Sequence, residues 1–369
     1  MTTALLPEGL RDRLPPQADA AAAILRAALD AIRAHGYERV APPLAEYEES
    51  LVGRLKAGTA RDLLRVVDPL SQRTLALRPD ITTQVGRIAA TRLAHRPRPL
   101  RLSYGGPVVK LRASQLRPER EMTQIGAELI GRDSAAAAAE IVALAVEALA
   151  AAGAKGITVD LTLPDLVDTL AADALPLSAA EAQHVRALLD AKDAGGLSAA
   201  GTTGYLPLVE AAGPFAQAIE RLRAFDKTGA LASRIAALET VAARLGGIAT
   251  VTLDPTERHG FEYQSWLGFS LFAEGLAGEI GRGGAYTILH EDGREEPAIG
   301  FSIYPDPLLD LIADERSGRR LFLPLGHDPV AAARLRGEGW ITVAALDDAS
   351  KPAGCTHVLD RGEAKRLEI

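Results

Sequence analysis

The sequence predicts an α+β fold, with an antiparallel sheet flanked by helices, a helical insertion and a short C-terminal α/β tail. Three observations carry that reading. Residues 101–109 and 121–130 read as two strands joined by the polar, charged loop 110–120. From Asp165 to about Leu245 the pattern is helical. Between Val251 and Tyr304 the character turns β-rich again, and beyond Arg319 a strand, a helix and another strand follow in quick succession.

The chain has 369 residues, enough for two or three domains at roughly 150 residues each. The division expected is a core over 1–318, with the insertion at about 165–248, and a tail over 319–369. Hydrophobic residues make up 47% and charged residues 24%, an ordinary globular composition with a core rich in Ala, Leu, Ile and Val. The net charge of -7 argues against a broadly basic face for nucleic acid, because such affinity rests on Lys and Arg neutralising phosphates. The single cysteine, Cys355, excludes an intrachain disulfide and a multi-cysteine metal site. The seven histidines are scattered, with no i, i+4 helical pair of the kind that binds zinc, so no metal is expected. Leu5-Leu6-Pro7-Glu8-Gly9 is too short and too broken for a secretory signal. The Ala-rich stretch from Ala135 to Ala152 carries Glu140 and Glu147 and reads as a buried helix, not a membrane span. A cytoplasmic location is therefore expected.

Each element has its own signal. After Leu14-Pro15-Pro16, the residues Leu25, Leu29 and Ile32 recur at helical spacing, and His35-Gly36 should end the helix. Tyr37 to Leu44 reads as a strand stopped by Pro42-Pro43. In the strand from Glu121 to Ile130, alternation puts Gln124 and Glu128 on one face with Gly126 between them. Two polar groups flanking a hollow suit a ligand ammonium and ring nitrogen. The other reading is a solvated sheet face, for which glycine is a poor choice. Ser134 is an N-cap for the Ala-rich helix, which ends near Gly153. Ile157, Val159, Leu161 and Leu163 alternate with Thr158, Asp160 and Thr162 as a half-buried strand. Ala194-Gly195-Gly196 and Gly201-Thr202-Thr203-Gly204 read as connectors inside the helical region. Gly281-Arg282-Gly283-Gly284 lacks the Gly-Lys-Ser/Thr ending of a phosphate loop and reads as a turn between β elements. In the tail, 321–325 and 341–346 read as strands and 329–338 as a helix.

Leu77-Arg78-Pro79-Asp80-Ile81-Thr82 and Met122-Thr123-Gln124-Ile125-Gly126-Ala127-Glu128 each resemble a signature of histidyl-tRNA synthetase, a class II aminoacyl-tRNA synthetase. Residues from about 5 to 310 resemble its catalytic core. The closer likeness is to its paralogue, the regulatory subunit of ATP phosphoribosyltransferase, which favours Asp-Met/Ile-Thr where the synthetase has Glu-Gly-Thr. The resemblance implies a class II synthetase-like core in which Asp80 and Thr82 contact the α-amino group of histidine. It likewise implies contacts from Gln124 and Glu128 to the amino group and the imidazole. The succession of helix, His35-Gly36 turn, strand and proline pair up to Leu44 resembles motif 1, which in that family builds a dimer interface. His259-Gly260-Phe261-Glu262-Tyr263-Gln264 occupies the place of the family's Arg-Gly-Leu-Asp-Tyr-Tyr. The arginine that steers the substrate carboxylate falls on His259, with Arg258 beside it as a substitute; a loop histidine without a ligand is the alternative. With Lys110, the expected histidine-binding set is Asp80, Thr82, Lys110, Gln124, Glu128, His259 and Tyr263, with no catalytic residue and no cofactor.

The family's nucleotide clamp is what the chain lacks. Arg101 to Lys110 resembles the beginning of motif 2, but its phosphate-clamping arginine falls on Lys110, which keeps charge and loses the bidentate fork. The following glutamate falls on Arg112. Pro297 to Leu308 resembles motif 3, yet its arginine falls on Pro307. Gly283-Gly284-Ala285-Tyr286 has alanine where the synthetase has arginine. The tail is too short for an anticodon-binding domain of about a hundred residues, and is either a remnant or a docking element. The resemblance therefore implies a non-catalytic regulatory subunit that forms a dimer within a hetero-oligomer. Its partner would be the short-form ATP phosphoribosyltransferase catalytic subunit and its effector histidine, with no tRNA and no membrane. The alternatives are an enzyme that activates an amino acid with ATP, and an amino-acid sensor for another partner.

Overall fold

The computed structural model describes residues 5–51, 63–111, 118–258, 264–312 and 319–367. The chain forms two compact units, Met1–Leu309 and Asp310–Ile369. In the first, helix α1 (Gln17–Ala34) buries Ala20, Ile24, Ala28 and Ile32, a stripe at every fourth residue, together with Leu29. Ile24, not Leu25, is the buried residue of that turn. His35 caps the helix and Gly36 leaves it at φ +83. Strand β1 is only Glu38–Arg39, shorter than the sequence suggests. The two prolines cannot donate to a ladder, and their carbonyls are taken by side chains instead: Arg78 Nη1 donates to Pro42 O at 2.9 Å and Gln84 Nε2 to Pro43 O at 2.8 Å.

Strand β2 (Ala45–Tyr47), helix α2 (Glu48–Leu51), strand β3 (Leu64–Val67) and strand β4 (Thr74–Leu77) come next. The three strands form a small antiparallel sheet in the order β2-β4-β3. Each is too short to carry a readable period, so this sheet has no counterpart among the elements expected from sequence. Helix α3 (Thr82–Ala90) leads into the main sheet.

The main sheet is built from β1, β5 (Leu100–Val109), β6 (Glu121–Ile130), β7 (Thr158–Thr162), β8 (Gly213–Pro214), β9 (Thr250–Leu253), β10 (Gln264–Phe272), β11 (Gly281–Leu289) and β12 (Glu295–Ile303). Their order is β1-β5-β6-β12-β11-β10-β7-β9-β8. From β5 through to β7 every pairing is antiparallel. The long strands bring residues far apart in sequence into register, and this is what assembles the site.

Helix α4 (Ala135–Ala151) packs on β6, β10, β11 and β12. It is apolar nearly all round, which suits a central helix. Ser134 accepts from the Ala137 amide, as its cap position predicts. The region between β7 and β9 holds α5 (Leu166–Ala171), α6 (Ala179–Asp190), α7 (Ala194–Ala199), a 3-10 turn at Thr203–Glu210, α8 (Phe215–Phe225) and α9 (Ala232–Leu245). Helices α1 and α9 both pack against α4. Ala194-Gly195-Gly196 is not a connector. It opens α7, because Asp193 accepts the Gly196 amide at 2.7 Å and caps that end. After β12 come a 3-10 turn (Asp306–Leu308) and α10 (Leu309–Ile312).

The second unit contains β13 (Arg320–Leu323), α11 (Pro329–Gly337), β14 (Ile341–Ala344), β15 (His357–Asp360) and β16 (Glu363–Arg366). Its sheet runs β14-β13-β15-β16, parallel except for the last pair. Leu321, Leu323, Ala332, Leu335 and Leu359 form its core. Asp328 caps α11 and Pro329 starts it, an arrangement that uses proline where its missing donor costs nothing. Among the described residues, no helix is long and apolar enough to cross a membrane.

Central packing of α4 makes a direct prediction. Leu144 is fully buried, so Leu144→Ala should destabilise the protein by about 2–5 kcal/mol in chemical denaturation. A loss below about 1 kcal/mol would contradict the placement of α4 in the core.

Candidate functional site

Register across the sheet lines up two rows of side chains. One row runs Glu128, Gly300, Gly284, Gly268 and Thr162. The next runs Tyr104, Gly126, Ser302, Arg282, Ser270 and Asp160. On each strand the members of the two rows are two residues apart, so both rows share one face. The glycines supply a floor with no side chains. Close approach requires them: a Cβ on Gly300 would lie 1.6 Å from Glu128 Oε2, and one on Gly126 would lie 2.4 Å from the Tyr104 hydroxyl.

Over that floor lies an open cleft with a cavity volume of about 40 Å³, lined by Asp80, Thr82, Glu128, Arg282, Tyr286 and Tyr304 as well as the glycines and Ser302. Glu128 is 1% exposed. Its Oε1 accepts from the Tyr104 hydroxyl at 3.0 Å and its Oε2 from the Tyr286 hydroxyl at 2.9 Å. Burial disfavours its charged form and pushes its pKa up to about 8, in spite of those two donors. The Tyr104 oxygen also lies 3.0 Å from both Thr82 Oγ1 and Ser302 Oγ. Gln124 is fully buried and does not line the cleft. Its Oε1 accepts the Ile81 amide at 2.8 Å, and its Nε2 donates to Asp80 Oδ2 at 2.9 Å and Ser302 Oγ at 2.8 Å. Asp80 Oδ1 in turn accepts the Thr82 amide at 2.6 Å.

The structure thus brings Asp80, Thr82, Gln124 and Glu128 into one hydrogen-bonded group. Two expectations need correcting. The hollow at Gly126 is not empty, because the Tyr104 hydroxyl reaches into it from the neighbouring strand. Gly281-Arg282-Gly283-Gly284 is not a turn but the start of β11. Its glycines answer close packing: a Cβ on Gly283 would meet the Phe269 ring at 2.4 Å, and one on Gly284 would meet Gln264 Oε1 at 2.2 Å. The face is not solvated either, since every residue of β6 from Gln124 to Ile130 is buried.

Lys110 stands apart from the group. It is exposed at the end of β5, with its ammonium 5.8 Å from the centre of the Tyr304 ring. His259 and Tyr263 lie outside the described residues, as does Arg112. Pro307 is exposed in its 3-10 turn, and Ala285 is buried one residue out of phase with Gly284 and Tyr286. Tyr104, Tyr286, Ser302 and Arg282 belong to the site without having been singled out. Nothing in a single strand announces them, because each is recruited through register. Gln264 is buried with both side-chain polar atoms unpartnered. Among the described residues no group of His, Cys, Asp and Glu could hold a metal ion.

Chemically, the cleft offers carboxylates, hydroxyls and a guanidinium along its lining. Its buried acid also ties stability to pH. The folded pKa of Glu128 lies above the ordinary 4.5, so its proton is held more tightly in the native state. That contribution is complete below about 4.5 and fades as pH rises through about 8. Relative to Glu128→Gln, wild-type unfolding free energy should therefore decline across this window. A difference that stays flat, or grows with pH, would contradict the assignment.

A family model described as histidyl-tRNA synthetase matches residues 9–308. An ATP phosphoribosyltransferase regulatory subunit from Paramagnetospirillum magneticum is 43% identical over 368 residues, covering 96% of this chain and 96% of its own length. One from Rhodospirillum centenum is 44% identical, covering 99% and 97%. Among solved structures, an ATP phosphoribosyltransferase regulatory subunit/histidyl-tRNA synthetase from Bacillus halodurans aligns with a TM-score of 0.79 at 25% identity, covering 97% of this chain and 98% of that one. A histidyl-tRNA synthetase from Nostoc aligns with a TM-score of 0.76 at 16% identity, covering 95% and 88%, a likeness of fold alone. Fold and sequence agree: the chain belongs to the histidyl-tRNA synthetase family, with its class II fold, and within it to the ATP phosphoribosyltransferase regulatory subunits.

Proposed function

We propose that the protein is a non-catalytic regulatory subunit of ATP phosphoribosyltransferase. It acts as a homodimer within a cytoplasmic hetero-oligomer, without tRNA. The short-form catalytic subunit depends on it for activity and, through it, for feedback inhibition by histidine at the first step of histidine biosynthesis. One observation carries the reading: the cleft keeps the acidic, hydroxyl-lined end suited to an amino acid, while the nucleotide-clamp positions hold Lys110, Ala285 and Pro307. Stabilising charge on a transferring phosphoryl group is normally a large catalytic term, and without those guanidinium groups adenylation loses its main support. The names of the relatives at 43–44% identity agree with this.

In this reading Asp80, Thr82 and Glu128 receive the ammonium and the imidazole of histidine, and Gln124 keeps Asp80 in position. Lys110 belongs to the same proposed set, as do His259 and Tyr263, which lie outside the described residues. Feedback requires histidine to favour one state of the assembly by a coupling of about 1–3 kcal/mol.

Reconstitution tests this. Adding the protein should raise the rate of a short-form catalytic subunit from the same source, and histidine should then lower it. Asp80→Asn should leave activation intact and raise the half-inhibiting histidine concentration about tenfold or more, the effect of losing a charge-assisted hydrogen bond. If wild-type protein gives no rate increase, the assignment fails. If Asp80→Asn is inhibited like wild type, histidine acts elsewhere.

A further inference from the structure

We propose that Gln264 is a specificity-determining residue of this cleft, whose carboxamide reads the polar ring of the guest's side chain beside Glu128. The proposal rests on the amino-acid-binding reading above and deepens it, adding a neutral reader to the charged and hydroxyl groups already described.

Placement is the first argument. Glu128, Gly300 and Gly284 follow one another in register across β6, β12 and β11. The Glu128 carboxyl lies over Gly300, where an added Cβ would meet its Oε2 at 1.6 Å. The Gln264 carboxamide lies over Gly284, where an added Cβ would meet its Oε1 at 2.2 Å and its Cδ at 2.5 Å. Side chains of paired residues in antiparallel strands start about 5 Å apart, so the two heads stand side by side on the face that floors the cleft. Tyr286 ties them together from β11. It is opposite Gln264 in register, and its hydroxyl donates to Glu128 at 2.9 Å. Gly284, Gly300, Tyr286 and Glu128 all line the cleft.

The second argument is the state of the carboxamide. Gln264 is 8% exposed, and neither its Oε1 nor its Nε2 has a hydrogen-bond partner among the described residues. Burying an amide unpaired costs free energy, and a native fold seldom retains such a group without a use for it. Its neighbours are treated differently. Both oxygens of Glu128 accept from tyrosines. Gln124, also a buried glutamine of the main sheet, has both ends of its amide engaged, by the Ile81 amide, Asp80 and Ser302. Gln264 thus holds a donor and an acceptor ready within one uncharged plane. A neutral imidazole presents a matching N–H and ring nitrogen. A site whose buried polar groups are completed by the guest rejects an analogue that cannot complete them.

The alternative is that the carboxamide only fills space beside Tyr286, and two readouts separate the roles. Calorimetric titration of the full chain would compare L-histidine with L-3-(2-thienyl)alanine, whose five-membered ring is of similar size and has no nitrogen. Wild-type protein should prefer histidine by about tenfold or more. Gln264→Leu should weaken histidine by about tenfold and leave thienylalanine no weaker than in wild type, so that much of the preference is lost. The free variant should also unfold at a denaturant concentration no lower than wild type, because leucine leaves no amide unpaired. An unchanged preference, equal weakening of both ligands, or a clear fall in the unfolding midpoint would overturn the proposal. If Gln264→Leu does not fold, Gln264→Met, which keeps the length of the side chain, is held to the same outcomes. Wild-type protein that binds the two ligands equally would overturn this proposal alone. Wild-type protein that binds neither would remove the amino-acid reading itself and this proposal with it.

Discussion

The site is organised by a carboxyl group that is almost wholly buried. Glu128 is 1% exposed in the middle of a sheet, where an unpaired polar group costs several kcal/mol. The fold meets that cost by bringing two phenol hydroxyls, from Tyr104 and Tyr286, onto its two oxygens. Those contacts require strands to pass close by with no intervening Cβ. Gly126 and Gly300 provide the room, although glycine weakens a strand interior. Gly126 and Gly300 follow from this one buried acid and its tyrosine partner, whereas Gly283 and Gly284 answer close packing against Phe269 and Gln264.

From Glu128 the network spreads into the rest of the first unit. Tyr104 connects it to Thr82 at the start of α3, and Ser302 connects Tyr104 to Gln124. Gln124 then fixes both Asp80 and the Ile81 backbone, so the β4–α3 junction is set by the sheet. Arg78 extends the chain the other way. It is 5% exposed and donates to the carbonyls of Pro107 and Pro42, and Gly106 leaves space for its guanidinium. Arg78 and Asp80 are two residues apart in the run Leu77 to Thr82, yet one anchors the proline segment and the other faces the cleft. Through the backbone of Pro79, the proline segment at residues 42–43 and the cleft are therefore held by neighbouring residues of one short run.

Much of this was legible before the fold was known, for identifiable reasons. The period of two in β6 put Gln124 and Glu128 on one face, and Ser134 marked the start of α4. Local periodicity and capping are written in adjacent residues. What depended on register was hidden. The hollow beside Gly126 is filled by Tyr104, more than one strand away in sequence, and only the pairing of β5 with β6 reveals it. Glycine misled at 281–284, where its ordinary signal is a turn; here it marks close approach to Phe269 and Gln264, and Arg282 was passed over with it. The sheet of β2, β3 and β4 and the hairpin of β15 and β16 went unread because strands of three or four residues show no clear period. Lys110 matched a family position, but the structure puts its side chain at the rim.

Proton counting is the most direct measure of whether this acid receives a cationic guest. With its pKa pushed up to about 8, Glu128 carries a proton at neutral pH, and an ammonium in contact with it favours ionisation. Histidine would be titrated into the protein near neutral pH in buffers of different ionisation enthalpy. The account predicts that wild-type protein releases close to one proton per histidine bound beyond what Glu128→Gln releases. Equal proton release by the two proteins, with histidine bound by both, would contradict it.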